Sequence, residues 1–141
     1  MDKEELKQRH KAFAIRIVRM VDAMPQTIAA NAIARQVMRS GTSPSANYRA
    51  ACLAKSDKDF INKLKMVEEE LDETQHWLEL IADCQILPEE RMKDIILQCT
   101  EDLLCLIRRY YYASYYVRLL DTRHQLCKIQ NELRRSMRYQ R

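Results

Sequence analysis

The chain has 141 residues, enough for one domain with one real core. It contains a single glycine and three prolines, and good helix formers dominate, so a strand-rich fold is excluded. Its formal net charge of +4 is spread unevenly: residues 1–34, 35–65, 66–102 and 103–141 carry +2, +5, −10 and +7. No apolar run approaches the ~18 residues of a spanning helix. The opening MDKEELKQRHK is charged and lacks the apolar core of an export signal. A cytoplasmic protein without membrane contact is expected. Its five scattered cysteines (Cys52, Cys84, Cys99, Cys105, Cys127) are expected as reduced thiols, with neither a disulfide framework nor zinc-ligand spacing.

The first predicted helix runs from about Asp2 to Met24, with Leu6, Phe13, Ile17, Met20 and Met24 on one face, and Pro25 ends it. The second starts near Gln26 or Thr27 and presents Ile28, Ala32, Ile33, Gln36, Val37 and Ser40. The third opens at Ser56-Asp57-Lys58-Asp59, which resembles a capping signal with Asp in place of the usual Glu. Phe60, Leu64, Val67, Leu71, Thr74, Leu78 and Ile81 then alternate by four and three, the spacing of a bundle seam. The fourth begins after Leu87, with Pro88 in its first turn. Met92, Ile96, Cys99, Leu103, Leu106, Tyr110, Ala113 and Val117 form its stripe, broadened by Ile95, Leu104, Ile107, Tyr111 and Tyr115. No Gly or Pro follows, so this helix can continue to about residue 138, roughly 75 Å at ~1.5 Å per residue. The predicted fold is an all-α, antiparallel up-down-up-down four-helix bundle with a kinked second helix and a long C-terminal helix. Residues 1–117 form the bundle and 118–141 a basic helical extension.

The stretch MRSGTSPSANYRAAC, residues 38–52, puts Gly41 and Pro44 inside the second helix. Gly41 can absorb an unusual backbone angle, and Thr42 or Ser43 can cap a new segment with Pro44 near its start. Two helical segments joined by a kink, about 27–40 and 44–54, are expected, with a loop between separate helices as the alternative.

Arg39-Ser40-Gly41-Thr42-Ser43, then Ala46-Asn47-Tyr48-Arg49-Ala50-Ala51, Ser56, Asp59-Phe60, Lys63, Glu69-Glu70, Glu73 and Trp77-Leu78 carry a resemblance. Over roughly residues 10–115 the chain resembles the bacterial four-helix-bundle protein family, also described from open reading frames in intervening sequences of large-subunit ribosomal RNA genes. The resemblance implies a helical fold, a homopentameric ring, and structural motif positions at Arg39, Ser43, Asn47, Ser56, Phe60, Glu69, Glu73 and Trp77. It implies a partly buried Arg39 paired with a carboxylate of the third helix, Glu69 or Glu73. A more distant group, the accessory variability protein of diversity-generating retroelements, is a basic barrel that binds a reverse transcriptase and nucleic acid. Pro44 and Ser45 depart from the family pattern, and the Tyr-rich basic tail exceeds the usual family end.

No catalytic constellation stands out. His10, His76 and His124 are far apart, and Glu73-Thr74-Gln75-His76 is a single Glu-x-x-His without the second copy that a dimetal bundle requires. No metal or cofactor is expected, nor enzymatic activity. Tyr110, Tyr111 and Tyr115 are expected between subunits, with base stacking beside Arg108, Arg109 and Arg118 as the alternative. Residues 118–141 hold seven Lys/Arg against two Asp/Glu. Arg108, Arg109, Arg118, Arg123, Lys128, Arg134, Arg135 and Arg138 are therefore the expected nucleic-acid contacts. The sequence points to a homo-oligomeric nucleic-acid-binding protein for structured RNA or DNA, with a reverse transcriptase as a candidate partner. The alternative is a protein-binding scaffold whose last helix is a docking arm.

Overall fold

The computed structural model describes residues 2–138, with side chains at residues 2–115 and 117–123. Four helices follow one another: α1 (Lys3–Asp22), α2 (Ile28–Ala51), α3 (Asp57–Asp83) and α4 (Glu89–Arg138). No strand occurs among the described residues.

Each helix end has an identifiable local cause. Asp2 caps α1, its carboxylate accepting from the Glu5 N–H at 2.8 Å while the Glu5 carboxylate accepts from the Asp2 N–H at 2.7 Å. Thr27 caps α2 by accepting from the Ala30 N–H at 3.2 Å. Ser56 caps α3, accepting from the Asp59 N–H at 3.2 Å. The Asp59 carboxylate accepts from the Lys55 N–H at 3.0 Å, one residue before the position a capping-box Glu would reach. At the other end of α3, Gln85 has φ of 53°. The Gln85 N–H donates to the Ala82 carbonyl and the Ile86 N–H to the Ile81 carbonyl, both at 3.0 Å. These two bonds make a Schellman ending, whose left-handed residue is usually glycine.

α2 packs against α1 and α3, α3 packs against α4, and α4 closes the ring more lightly on α1. Cross-helix pairs give the directions. His10 meets Tyr48, and Ile17 lies against Gly41, so α1 and α2 run antiparallel. The Cys99 thiol donates to the Leu71 carbonyl at 3.4 Å, while Lys58 lies 3.8 Å from Asp121, so α3 and α4 do too. The core holds Leu6, Phe13 and Ile17 of α1, Val37 and Tyr48 of α2, Leu64, Val67, Leu71, Leu78 and Ile81 of α3, and Met92, Cys99 and Leu106 of α4. The α3 seam lies where its spacing predicts, with Phe60 half-buried at its start.

The second helix differs from expectation in two ways. It is continuous from Ile28 to Ala51, with Pro44 inside it, so the two-segment division at 40–44 does not occur. Thr42 and Ser43 do not cap a new segment. Their hydroxyls donate to the carbonyls of Met38 (2.7 Å) and Arg39 (2.9 Å), bonds that a continuous helix accommodates and that favour bending. Gly41 keeps a negative φ and serves another purpose: a Cβ there would lie 2.8 Å from Ile17 Cγ1. The glycine lets α1 and α2 approach closely. The buried face is also rotated from the predicted one. Ala30, Val37, Ser40, Gly41, Pro44, Tyr48 and Ala51 are inside, whereas Ile28, Ala32 and Gln36 are exposed.

α4 passes Val117 and Arg118 without interruption. The Lys58–Asp121 pair puts residue 121 level with the first turn of α3. Residues 122–138 continue beyond it for about 25 Å at ~1.5 Å per residue.

Candidate nucleic-acid interface

Charge and aromatic groups concentrate on α4 after the core stripe ends at Leu106. Arg108, Arg118 and Arg123 are exposed and Arg109 is half-buried. Tyr110 packs on the core edge and meets Tyr111 edge-on, with ring centres 6.0 Å apart. Tyr111, Tyr112 and Tyr115 are 63–71% exposed, so they contribute little to the core of a single chain. Leu97 and Leu104 continue this outward strip at seven-residue spacing, 59% and 61% exposed. Side chains of Lys128, Arg134, Arg135 and Arg138 lie outside the described residues.

Three of the motif residues, Arg39, Glu73 and Trp77, meet on the seam between α2 and α3, whereas Ser56 caps α3 and Phe60 lies in its first turn. The Arg39 guanidinium donates to the Glu73 carboxylate and lies 3.6 Å from Glu70. The Trp77 indole donates to the same Glu73 oxygen at 3.1 Å. These two donors hold the Glu73 carboxyl below its usual range, while burial raises that of Glu70. The expected pairing with Glu73 is present. Glu69 is exposed and Glu70 takes the second position. Arg39 itself is 54% exposed, so the partly buried guanidinium expected lies at the open edge of the seam: its long side chain reaches along the surface to the acidic face of α3. Asn47 is half-buried on α2, three residues after Pro44. Engaged in this way, Glu73 is held in a salt bridge beside His76. Among the described residues no group of His, Cys, Asp and Glu could hold a metal ion.

Sequence reasoning missed a buried polar cluster between α1, α2 and α4. His10, Tyr48 and Asp102 are buried. Asp102 accepts from the Arg9 Nε–H through one oxygen, and its other oxygen lies 4.0 Å from His10 Nδ1. The His10 and Tyr48 rings stand 5.3 Å apart. Among the described residues both His10 nitrogens lack a hydrogen-bond partner, and the Tyr48 hydroxyl has only the weak Cys52 thiol beside it. Burial and the neighbouring Arg9 push the His10 pKa down to about 4, and burial pushes the Tyr48 phenol up to about 12. Burial also raises the Asp102 carboxyl, against the pull of Arg9. The signal was in the spacing: His10 sits on the Leu6–Phe13–Ile17 stripe, and Asp102 falls between Cys99 and Leu106.

No described helix is long and apolar enough to cross a membrane. A family model, the 23S rRNA-intervening sequence protein, matches residues 2–107. The match stops one residue before the Arg108–Arg109 pair. Among solved structures the chain is similar to a protein of unknown function from the S23 ribosomal protein family of Bacteroides thetaiotaomicron VPI-5482. The two are 33% identical, the alignment covers 79% of this chain and 99% of that one, and the TM-score is 0.71. No curated protein matches. With the four-helix order, the closed packing and the Arg39–Glu73–Trp77 seam in place, the chain belongs to the 23S rRNA-intervening sequence protein family.

Proposed function

We propose that this protein is a non-enzymatic, homo-oligomeric helical bundle of the cytoplasm that binds structured RNA or DNA through basic side chains of α4. The observation that carries this reading is the exposed group Arg108, Arg118 and Arg123 on a helix that outruns the bundle, with the acidic surface segregated to residues 66–102. Phosphate neutralisation by such a surface releases counterions and makes binding salt-dependent. The family's name, which ties it to intervening sequences of 23S rRNA, is compatible with an RNA ligand. The outward strip Leu97, Leu104, Tyr111 and Tyr115 supports self-association, which would multiply the basic arm around a ring. That strip equally favours a second reading, a scaffold whose α4 docks a protein partner such as a reverse transcriptase.

A filter-binding titration at stepped salt separates the two. The full chain and a version ending at Val117 are compared after light scattering has shown the same oligomer. The expected result is affinity of micromolar order at low salt for the full chain, falling steeply with salt, and a large loss without the tail. Equal affinity in both versions removes the tail as the binding element, and no binding in either favours the scaffold.

A further inference from the structure

An open groove of about 630 Å³ lies at the end of the bundle where α1 and α3 begin and α4 departs. That size falls within the ~300–1,000 Å³ of small-ligand sites. Three cations from three parts of the chain line it: Lys3 of α1, Lys55 before α3, and Arg109 of α4. Lys55 stands near the Asp59 carboxylate, which accepts from its backbone N–H, and Asp57 is the one carboxylate in the lining. Two aromatic side chains complete it, half-buried Phe60 and Tyr112, which is 71% exposed. The N-terminal ends of α1 and α3 meet here beside the C-terminal end of α2, so the helix dipoles partly offset and the three cations carry most of the positive charge. Cations and stacking faces in one concavity are the two elements of sequence-tolerant single-strand recognition.

We infer that this groove takes one unpaired nucleotide of a nucleic-acid strand, its phosphate held by Lys3, Lys55 and Arg109 and its base stacked on Tyr112 against Phe60. This inference rests on the nucleic-acid reading and locates it. The strand leaves the groove along α4 towards Arg118 and Arg123. Single-stranded or looped segments are then preferred to continuous duplex, because a paired base cannot enter without leaving its stack.

The test uses the full chain and fluorescence anisotropy with a labelled single-stranded oligonucleotide, the matching duplex, and poly-glutamate as competitor. The variants are Tyr112→Ala, Lys3→Gln/Lys55→Gln and Arg118→Gln/Arg123→Gln, each with its oligomer mass checked. All the altered side chains lie outside the core, so folding is expected to survive. The wild type should prefer single strand over duplex by about tenfold. Tyr112→Ala should abolish the preference, and Lys3→Gln/Lys55→Gln should weaken single-strand binding several-fold and flatten its salt dependence. Arg118→Gln/Arg123→Gln should weaken both ligands alike and leave the preference intact. Unchanged preference and affinity in Tyr112→Ala and Lys3→Gln/Lys55→Gln, with the wild type still binding, would overturn the groove and leave the α4 reading standing. Absence of binding by the wild type overturns both. Displacement by poly-glutamate as strong as by single strand, and independent of Tyr112, would make the groove an acidic-peptide site and also overturn the inference.

Discussion

At the scale of single residues, Gly41 and His10 show how a helix sequence records its neighbours. An alanine at 41 would gain about 1 kcal/mol of helix propensity but would drive a methyl into the stiff β-branched side chain of Ile17. Overpacking costs ~1–3 kcal/mol, so Gly41→Ala should lower stability by about 1 kcal/mol in urea denaturation. In an Ile17→Ala background, which opens the space, the same change should stabilise. A same-signed effect in both backgrounds would refute the contact explanation. His10 sets an acid limb. Its folded pKa of about 4 lies below the ordinary 6.5, so between these values the unfolded chain binds a proton that the folded chain refuses. The stability is whole above pH 6.5 and is lost as pH falls towards 4, on the order of 3 kcal/mol in total. The raised Asp102 carboxyl acts in the opposite sense, gaining its proton earlier in the fold. His10→Leu should flatten the decline between pH 6.5 and 4 in thermal melts without loss of stability at pH 7, since two unpartnered buried nitrogens disappear. Parallel wild-type and variant curves would rule out His10 as the titrating group.

At the scale of elements, helix ends follow local chemistry while helix interiors obey the bundle. Asp2, Thr27 and Ser56 each satisfy a first-turn amide, and these starts are readable in the chain. The end of α3 is not, because Gln85 occupies a left-handed position that sequence preference gives to glycine. Replacing it by glycine removes the Cβ strain, about 1–2 kcal/mol for an L-residue, against some added freedom in the unfolded chain. Gln85→Gly should therefore raise the melting temperature by a few degrees with the α-helical circular dichroism unchanged; a lowered Tm would show the turn is held by side-chain contacts instead. Pro44 illustrates the converse. It is buried within α2, where a proline removes one backbone bond, yet the helix is continuous because both flanking faces pack on α1 and α3.

At the scale of the whole molecule, α4 gives more surface than one bundle can use. Besides the groove residue Tyr112, it exposes Tyr111, Tyr115, Leu119 and Leu120. Exposed apolar side chains in this number on one helix point to an association site. Light scattering across a concentration series should report a multimer, five chains if the family resemblance extends to assembly. Tyr111→Asp or Tyr115→Asp should shift the mass towards monomer, while Glu69→Lys on the exposed side of α3 should not. A monomer at every concentration in the wild type would end the oligomer reading.

The sequence by itself determined the helices, their order and most of their boundaries. The four-and-three spacing of Leu64 to Ile81 and the long Gly- and Pro-free run after Pro88 are properties of the chain alone, and the structure follows them. The resemblance carried by Arg39, Glu73 and Trp77 likewise led to the family. What only tertiary structure decided was which side of α2 faces inward, that Gly41 lies against Ile17, and that His10, Tyr48 and Asp102 share one buried site. It also brought Lys3, Lys55, Arg109 and Tyr112 into one groove. The physical reason is range. Caps, propensities and periodicity act within a few residues, whereas close helix approach, desolvation of a buried histidine and convergence of charges depend on residues far apart in the chain, from Ile17 and Gly41 to Lys3 and Tyr112, which meet only after the bundle closes.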